Sequence, residues 1–315
     1  MKAVKILVLI LTLAASSYAN ELSGSWLPDS LDRRKAIPNN ITPPERTMPL
    51  HSLQPISGDD GVIRRVKLPD GVKAAALTFD MCELDTVTTG CDMDVISFMR
   101  EKRIPATLFM GGKWMRTHSR RVKQIMTESE IFEIANHNWS HGNCALLSPD
   151  GLKAQILWTQ AQYELLREET GLDDIPEAMT LFRLPYGRNS ERALKIIADL
   201  GLRVIQWDVA AEAGDNSNPK RAARSAKLVA SMTRPGSILL FHANYVPKGT
   251  VNLLREVVSI LESQGYMFVK VSDLLSMGEP ESVRDGYFSR PKDNYALDKK
   301  FGIDGTGRRK PFTGK

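Results

Sequence analysis

The constraint that most narrows the fold is an alternation. Short apolar runs at 74–79, 106–110, 131–134, 181–184, 203–209, 237–241 and 266–271 take turns with segments of helical periodicity. The helical patterns fall at about 92–102, 118–127, 150–169, 190–200, 219–232 and 249–264. Several carry boundary residues: Ser148-Pro149-Asp150 opens one, Asn218-Pro219 opens another, and Gly201 closes a third. Strands of this length separated by helices predict a parallel sheet covered by helices. Seven strands in about 200 residues predict an α/β fold, a closed or nearly closed parallel (β/α)7-type barrel, as a single domain. An open doubly wound sheet is the competing arrangement, but no Gly-x-Gly-x-x-Gly follows the first strand. Gly111-Gly112 reads as a tight turn.

The flanks differ in texture. Lys2 and Lys5 precede an apolar run at 6–15, and Ser17-Tyr18-Ala19 offers small residues where a signal peptidase cuts. Residues 1–19 therefore read as a secretory signal, too short in its apolar part to span a membrane. Residues 20–71 contain Pro38, Pro43, Pro44, Pro49 and Pro55 and read as an extended leader. The domain is expected at 72–277, followed by a polar tail at 278–315. The expected location is secreted or periplasmic. Export permits a disulfide, but Cys82, Cys91 and Cys144 allow only one intrachain pair, and the sequence leaves the pairing open. The formal charge of +5 is modest, no nucleic-acid motif is present, and no stretch of spanning length follows the signal.

In a parallel barrel, reactive groups collect where strands end on the carboxyl face. The residues at those places are Asp80, His137 and His141, the segment 183–186, Asp208, and His242. Two imidazoles at i and i+4 come onto one side of a helical turn and can offer two nitrogens to one cation. Asn138 stands where a zinc protease would carry its general-base Glu, so that chemistry is excluded. Left to themselves, Asp80 with Arg183 would read as a structural ion pair and His242 as a satisfied core histidine.

The motifs Thr78-Phe79-Asp80, His137-x-x-x-His141, Arg183-Leu184-Pro185-Tyr186 and Leu239-Leu240-Phe241-His242 change that balance. In order and spacing they resemble four of the five motifs of the polysaccharide deacetylase family, the NodB-homology or carbohydrate esterase family 4 domain, over roughly 72–277. The resemblance implies a distorted parallel (β/α)7-type barrel, NodB-like, and removal of acetyl groups, usually N-acetyl, from a glycan substrate. It also implies a divalent metal, with zinc the expected ion, on His137 and His141. Asp80 would then be the catalytic base, and Arg183 would pair with it and orient it. The backbone N–H of Tyr186 would hold the oxyanion, and His242 would be the general acid.

Three departures from the family stand out. Met81 occupies the place of the acidic metal ligand, and a thioether is a poor ligand for zinc. Glu83 is the expected replacement, followed by Cys82 and then Asp85. Asn138 stands in place of the usual Ser or Thr. Ala210 and Ala211 follow Trp207-Asp208-Val209 where acids usually support the histidine, leaving Glu212 and Asp215 as stand-ins. Trp114, Trp139 and Tyr186 are candidates to stack on a sugar. Two other functions fit the same residues: a metal-independent amide hydrolase, or a non-catalytic carbohydrate-binding protein.

Overall fold

The apolar runs become strands of one curled parallel sheet in the computed structural model, which describes residues 26–33, 42–57, 61–84, 87–305 and 307. Strand β1 spans Val62–Lys67, β2 Ala74–Met81, β3 Ala106–Met110, β4 Phe132–Asn136 and β5 Leu181–Phe182. They are followed by β6 at Arg203–Val204, β7 at Val209–Ala210, β8 at Ile238–His242, β9 at Met267–Phe268 and β10 at Glu279–Val283. The path through the main sheet is β6-β5-β4-β3-β2-β8-β7, and β9 pairs with β2 beside it. This is the parallel barrel expected from the alternation.

The run at 203–209 is not one strand, and the reason explains the closure. Its first half lies on one edge of the sheet as β6, and its second half lies on the other edge as β7. The intervening residues cross the seam of the barrel and take their hydrogen bonds elsewhere. Gln206 N donates to Ile63 O at 2.7 Å, and the Asp208 carboxylate accepts from Ile238 N and Ser237 Oγ at 3.0 and 2.8 Å. Strand β1 fills the seam, bridging to Ile205 on one side and to Ser237 on the other. Asp208 thus sits at the amino end of β8, away from the carboxyl-end mouth.

Period-two alternation divides β2 between two environments. Ala75, Leu77, Phe79 and Met81 face the helices and join Val95, Met99, Leu108 and Trp114 in the larger core cluster. Ala74 and Ala76 belong to the cluster inside the barrel, with Phe109, Ala135, Ile205 and Trp207. Thr78 and Asp80 continue that inward face towards the mouth. All eight residues of β2 are buried, as befits a strand covered on both faces.

Helix boundaries follow local chemistry. The Ser148 side chain accepts from Gly151 N ahead of helix Pro149–Thr170, and the Asn218 side chain accepts from Lys220 N and Arg221 N ahead of Pro219–Met232. The stretch read as a helix at 118–127 is helix Ser119–Met126, and a further short helix outside that reading, Gly112–Thr117, precedes it. Gly111-Gly112 opens this short helix rather than forming a turn. A Cβ on Gly112 would lie 2.2 Å from Trp139 Cε3, so no larger residue fits there.

The flanks contribute more than an extended leader and a loose tail. Within the stretch read as leader, Val62, Ile63 and Val66 are fully buried, each stabilising by ~1.5–3 kcal/mol. Strand β1 pairs antiparallel with β10, which comes from the tail. Further upstream, Arg121 holds Asp32 through Nε–Oδ1 and Nη2–Oδ2 contacts of 2.8 and 2.5 Å. Glu164 accepts from the backbone N–H groups of Leu50 and His51. The signal read at 1–19 lies outside the described residues, and among those described no helix is long and apolar enough to cross a membrane.

Candidate active site

Strand register alone brings four motif residues to one place. Asp80 pairs with His242 across β2–β8, and Met110 pairs with Asn136 across β3–β4, which places His137 just beyond the sheet. Arg183 follows β5 and donates from Nη1 to Asp80 Oδ1 at 2.9 Å and to Thr78 Oγ1 at 2.8 Å. Its Nε and Nη2 donate to the carbonyls of Ile205 and Gln206 at 3.2 and 3.1 Å. The guanidinium lies 3.8 Å from the centre of the Phe109 ring. Burial pulls the Arg183 guanidinium below its ordinary value, opposed by the carboxylate of Asp80. Asp80 spends only Oδ1 on this ion pair; Oδ2 lies 3.5 Å from His137 Nε2.

His137 and His141 do meet, with ring centroids 4.9 Å apart, but not through a helical turn. The segment is a loop in which Asn138 (φ 65°) and His141 (φ 59°) adopt left-handed backbone. Asparagine tolerates that conformation better than Ser or Thr, which suits it to the position where the family usually carries one of those residues. Its amide also donates to Gly142 O at 3.0 Å, closing the loop. His137 Nδ1 lies 3.0 Å from Arg183 O; a carbonyl only accepts, so Nδ1 carries the proton and Nε2 is bare. Burial lowers the His137 value, and it lowers that of His141 much further, where His137 and His242 add to the effect. Both rings are thus held neutral, the form that binds a cation.

The next question is what joins them. Cys82 Sγ and one ring nitrogen from each histidine lie within 4.8 Å of one another, the one such group among the described residues. His137 Nε2 is buried and accepts no hydrogen bond there. Two imidazoles and a sulfur suit zinc or a cation of similar softness, so these side chains fit a divalent metal of that kind. Glu83 is not brought to this cluster. It is fully buried on the other side of the chain, accepting from Thr89 N and Thr117 Oγ1 at 3.2 and 2.9 Å. Asp85 lies outside the described residues. All three cysteines are free thiols, and burial pushes the Cys82 thiol far up from its ordinary value, with the charges of Asp80 and Glu83 adding.

Opposite the cluster, His242 Nδ1 lies 2.7 Å from Glu212 Oε2. Thr250 Oγ1 bonds the other oxygen of Glu212. Burial works against a proton on His242, but the hydrogen bond and charge of Glu212 outweigh it, so its value is raised. Glu212 is therefore the acid that supports His242. Asp215 instead caps a turn, accepting from Ser217 N at 2.7 Å.

Asp80, Cys82, His141 and His242 line a cavity of about 670 Å³ together with Tyr186 and Phe301. Tyr186 adopts φ 60°; its ring meets His141 edge-on at 4.4 Å and stacks on Phe301 at 5.0 Å. Phe301 belongs to helix Tyr295–Phe301 in the tail, which Arg188 and Asn143 fasten through Asp298. Sequence reasoning missed this wall of the site; the apolar spacing of Tyr295, Leu297 and Phe301 was its only trace. Trp114 and Trp139, by contrast, are fully buried and cannot meet a sugar.

Comparison with known proteins supplies independent support. The family model for polysaccharide deacetylase matches residues 67–205. A peptidoglycan-N-acetylglucosamine deacetylase of Bacillus cereus is 28% identical over 210 residues, covering 66% of this chain and 91% of that protein. The peptidoglycan-N-acetylglucosamine deacetylase PgdA of Listeria monocytogenes is 30% identical over 71% of this chain, but the match takes in only 44% of the relative. Among solved structures, a family 4 acetyl xylan esterase from Clostridium thermocellum, in complex with a cobalt ion, shares 25% identity. That comparison has a TM-score of 0.52 and covers 65% of this chain and 91% of the other. Strand order, motif order and these matches agree, and the chain belongs to the polysaccharide deacetylase family.

Proposed function

We propose that this protein is an exported, metal-dependent hydrolase that removes acetyl groups from an N-acetylated glycan of the peptidoglycan or chitin-oligosaccharide class. Support for the substrate class comes from the relatives, named for peptidoglycan and chitooligosaccharide deacetylation. Support for export comes from the basic, apolar and small-residue pattern of the first nineteen residues. The observation that carries the chemistry is the division of labour in Asp80. One oxygen is tied to Arg183, and the other lies 3.5 Å from His137 Nε2, beside the cavity that Asp80 and His141 line.

The residues then act as follows. A divalent cation, zinc in this reading, held by His137 and His141 would supply Lewis-acid activation of water and of the acetyl carbonyl. Asp80 Oδ2 accepts the proton of the attacking water, while Arg183 fixes the carboxylate plane. The backbone N–H of Tyr186 donates to the oxygen of the carbonyl under attack. His242, kept protonated by Glu212, gives its proton to the departing amine. The stacked rings of Tyr186 and Phe301 wall the groove in which the sugar lies.

The test is acetate release from N-acetylglucosamine oligomers and from peptidoglycan. Purified protein should release acetate, lose that activity after chelation, and regain it with zinc. Release that survives complete metal removal would leave the metal-independent amide hydrolase in place of this reading. A folded protein that sediments with the glycan yet releases no acetate would mean a carbohydrate-binding protein instead.

A further inference from the structure

Resting on the metal-dependent reading above, we propose that Cys82 completes the metal site as a thiolate ligand, with Asn244 as the hydrogen-bond donor that positions its sulfur. The strand makes this assignment geometrically. Asp80 faces the barrel interior, Met81 faces the helices, and Cys82 turns inward again. Met81 is fully buried and is held in the ladder opposite Met110, so a ligand at position 81 would point into the helix-facing core. Glu83, on the same parity as Met81, is taken up by Thr89 and Thr117.

The donor set is then complete without any rearrangement of the chain. His137 Nε2 is buried without a hydrogen-bond partner, and Cys82 Sγ, one nitrogen of the His137 ring and one of the His141 ring lie within 4.8 Å of one another. Asn244, buried at the mouth, donates from Nδ2 to Cys82 O at 3.2 Å and approaches Cys82 Sγ at 3.8 Å. Its own Oδ1 accepts from Val246 N, which fixes which end of the amide faces the sulfur. Outer-shell donors of this kind orient a ligand and tune the metal. A sulfur in place of a carboxylate oxygen shifts the site towards softer ions, so zinc, cobalt and cadmium should be favoured over magnesium and manganese.

The deciding experiment is cobalt titration of the full-length, metal-stripped protein, read by absorbance and independently by competition with a chelating dye. A sulfur-to-cobalt charge-transfer band in the near ultraviolet is expected, with one ion per chain. Cys82→Ser should abolish the band and weaken binding at least a hundredfold, with circular dichroism unchanged. Cys82→Asp should recover binding without the band. Asn244→Ala should cost about ten- to a hundredfold in affinity, and Glu83→Gln should keep the band. Cobalt bound without a sulfur band, or a band that persists in Cys82→Ser, overturns the proposal while leaving the deacetylase reading standing if acetate is still released. Failure to bind any metal overturns both. Should Cys82→Ser fail to fold, the wild-type spectrum alone still decides.

Discussion

Two buried aspartate–arginine pairs in this molecule look alike on paper and do different work. Asp32 gives both carboxylate oxygens to Arg121 and takes a further N–H from Asp29, sealing the leader against helix Ser119–Met126. Asp80 gives Arg183 one oxygen and turns the other towards His137 and the cavity. The lesson is that burial and ion pairing do not themselves mark a reactive carboxylate. An acceptor held back from the pair, with room for a substrate beside it, does.

The comparison can be broken by substitution. Asp80→Asn keeps the shape of the side chain, and Arg183 keeps Thr78 and two carbonyls as partners. It should lower kcat/KM about a thousandfold, with the chain still folded by circular dichroism. Asp32→Ala should do the reverse, costing about 3 kcal/mol in urea unfolding because Arg121 is left buried without its charge partner. Its kcat/KM per folded molecule should match wild type. If Asp32→Ala silenced a folded enzyme, or Asp80→Asn affected stability alone, the distinction would be lost.

A smaller effect sharpens the picture at His242. Its value is raised in the folded protein, so the protonated acid form survives to higher pH than an ordinary histidine would allow. Activity should therefore fall on the alkaline side as pH rises through that value. Glu212→Gln should move the alkaline limb of kcat/KM to lower pH and lower the plateau about tenfold. The same sign applies to stability: what His242 adds is present below its ordinary value and is lost as pH rises through the folded one. An unmoved limb in Glu212→Gln would assign the acid role to another group.

Much of this was legible in the chain. Alternation of strands and helices gave the barrel, because apolar periodicity and capping residues are local signals. Asp80, Arg183, the two histidines and His242 could be located because strand ends on the carboxyl face can be counted along the sequence. Glu83, expected as the third donor, is carried away from the two imidazoles for a physical reason: strand parity extends one residue past β2 and turns Cys82 inward, while Glu83 is bonded to Thr89 and Thr117. Glu212 could only be offered beside Asp215, since a loop rather than a strand delivers it to His242. Strands β1 and β10 were hidden, the first as a short apolar pair among prolines and the second as the polar Glu-Pro-Glu-Ser-Val. Their pairing depends on residues more than two hundred positions apart, which no local pattern encodes.

The wall that Phe301 adds to the groove separates two kinds of inheritance. Asp80 and His242 ride on barrel strands, where a shift in register would disturb the whole sheet. Phe301, Leu297 and Lys300 ride on a short helix moored through Asp298 and through Asn294 at its N-cap. Changes in that helix can reshape which sugar chain is admitted while the machinery beneath is left alone, so selectivity is free to drift where catalysis is not.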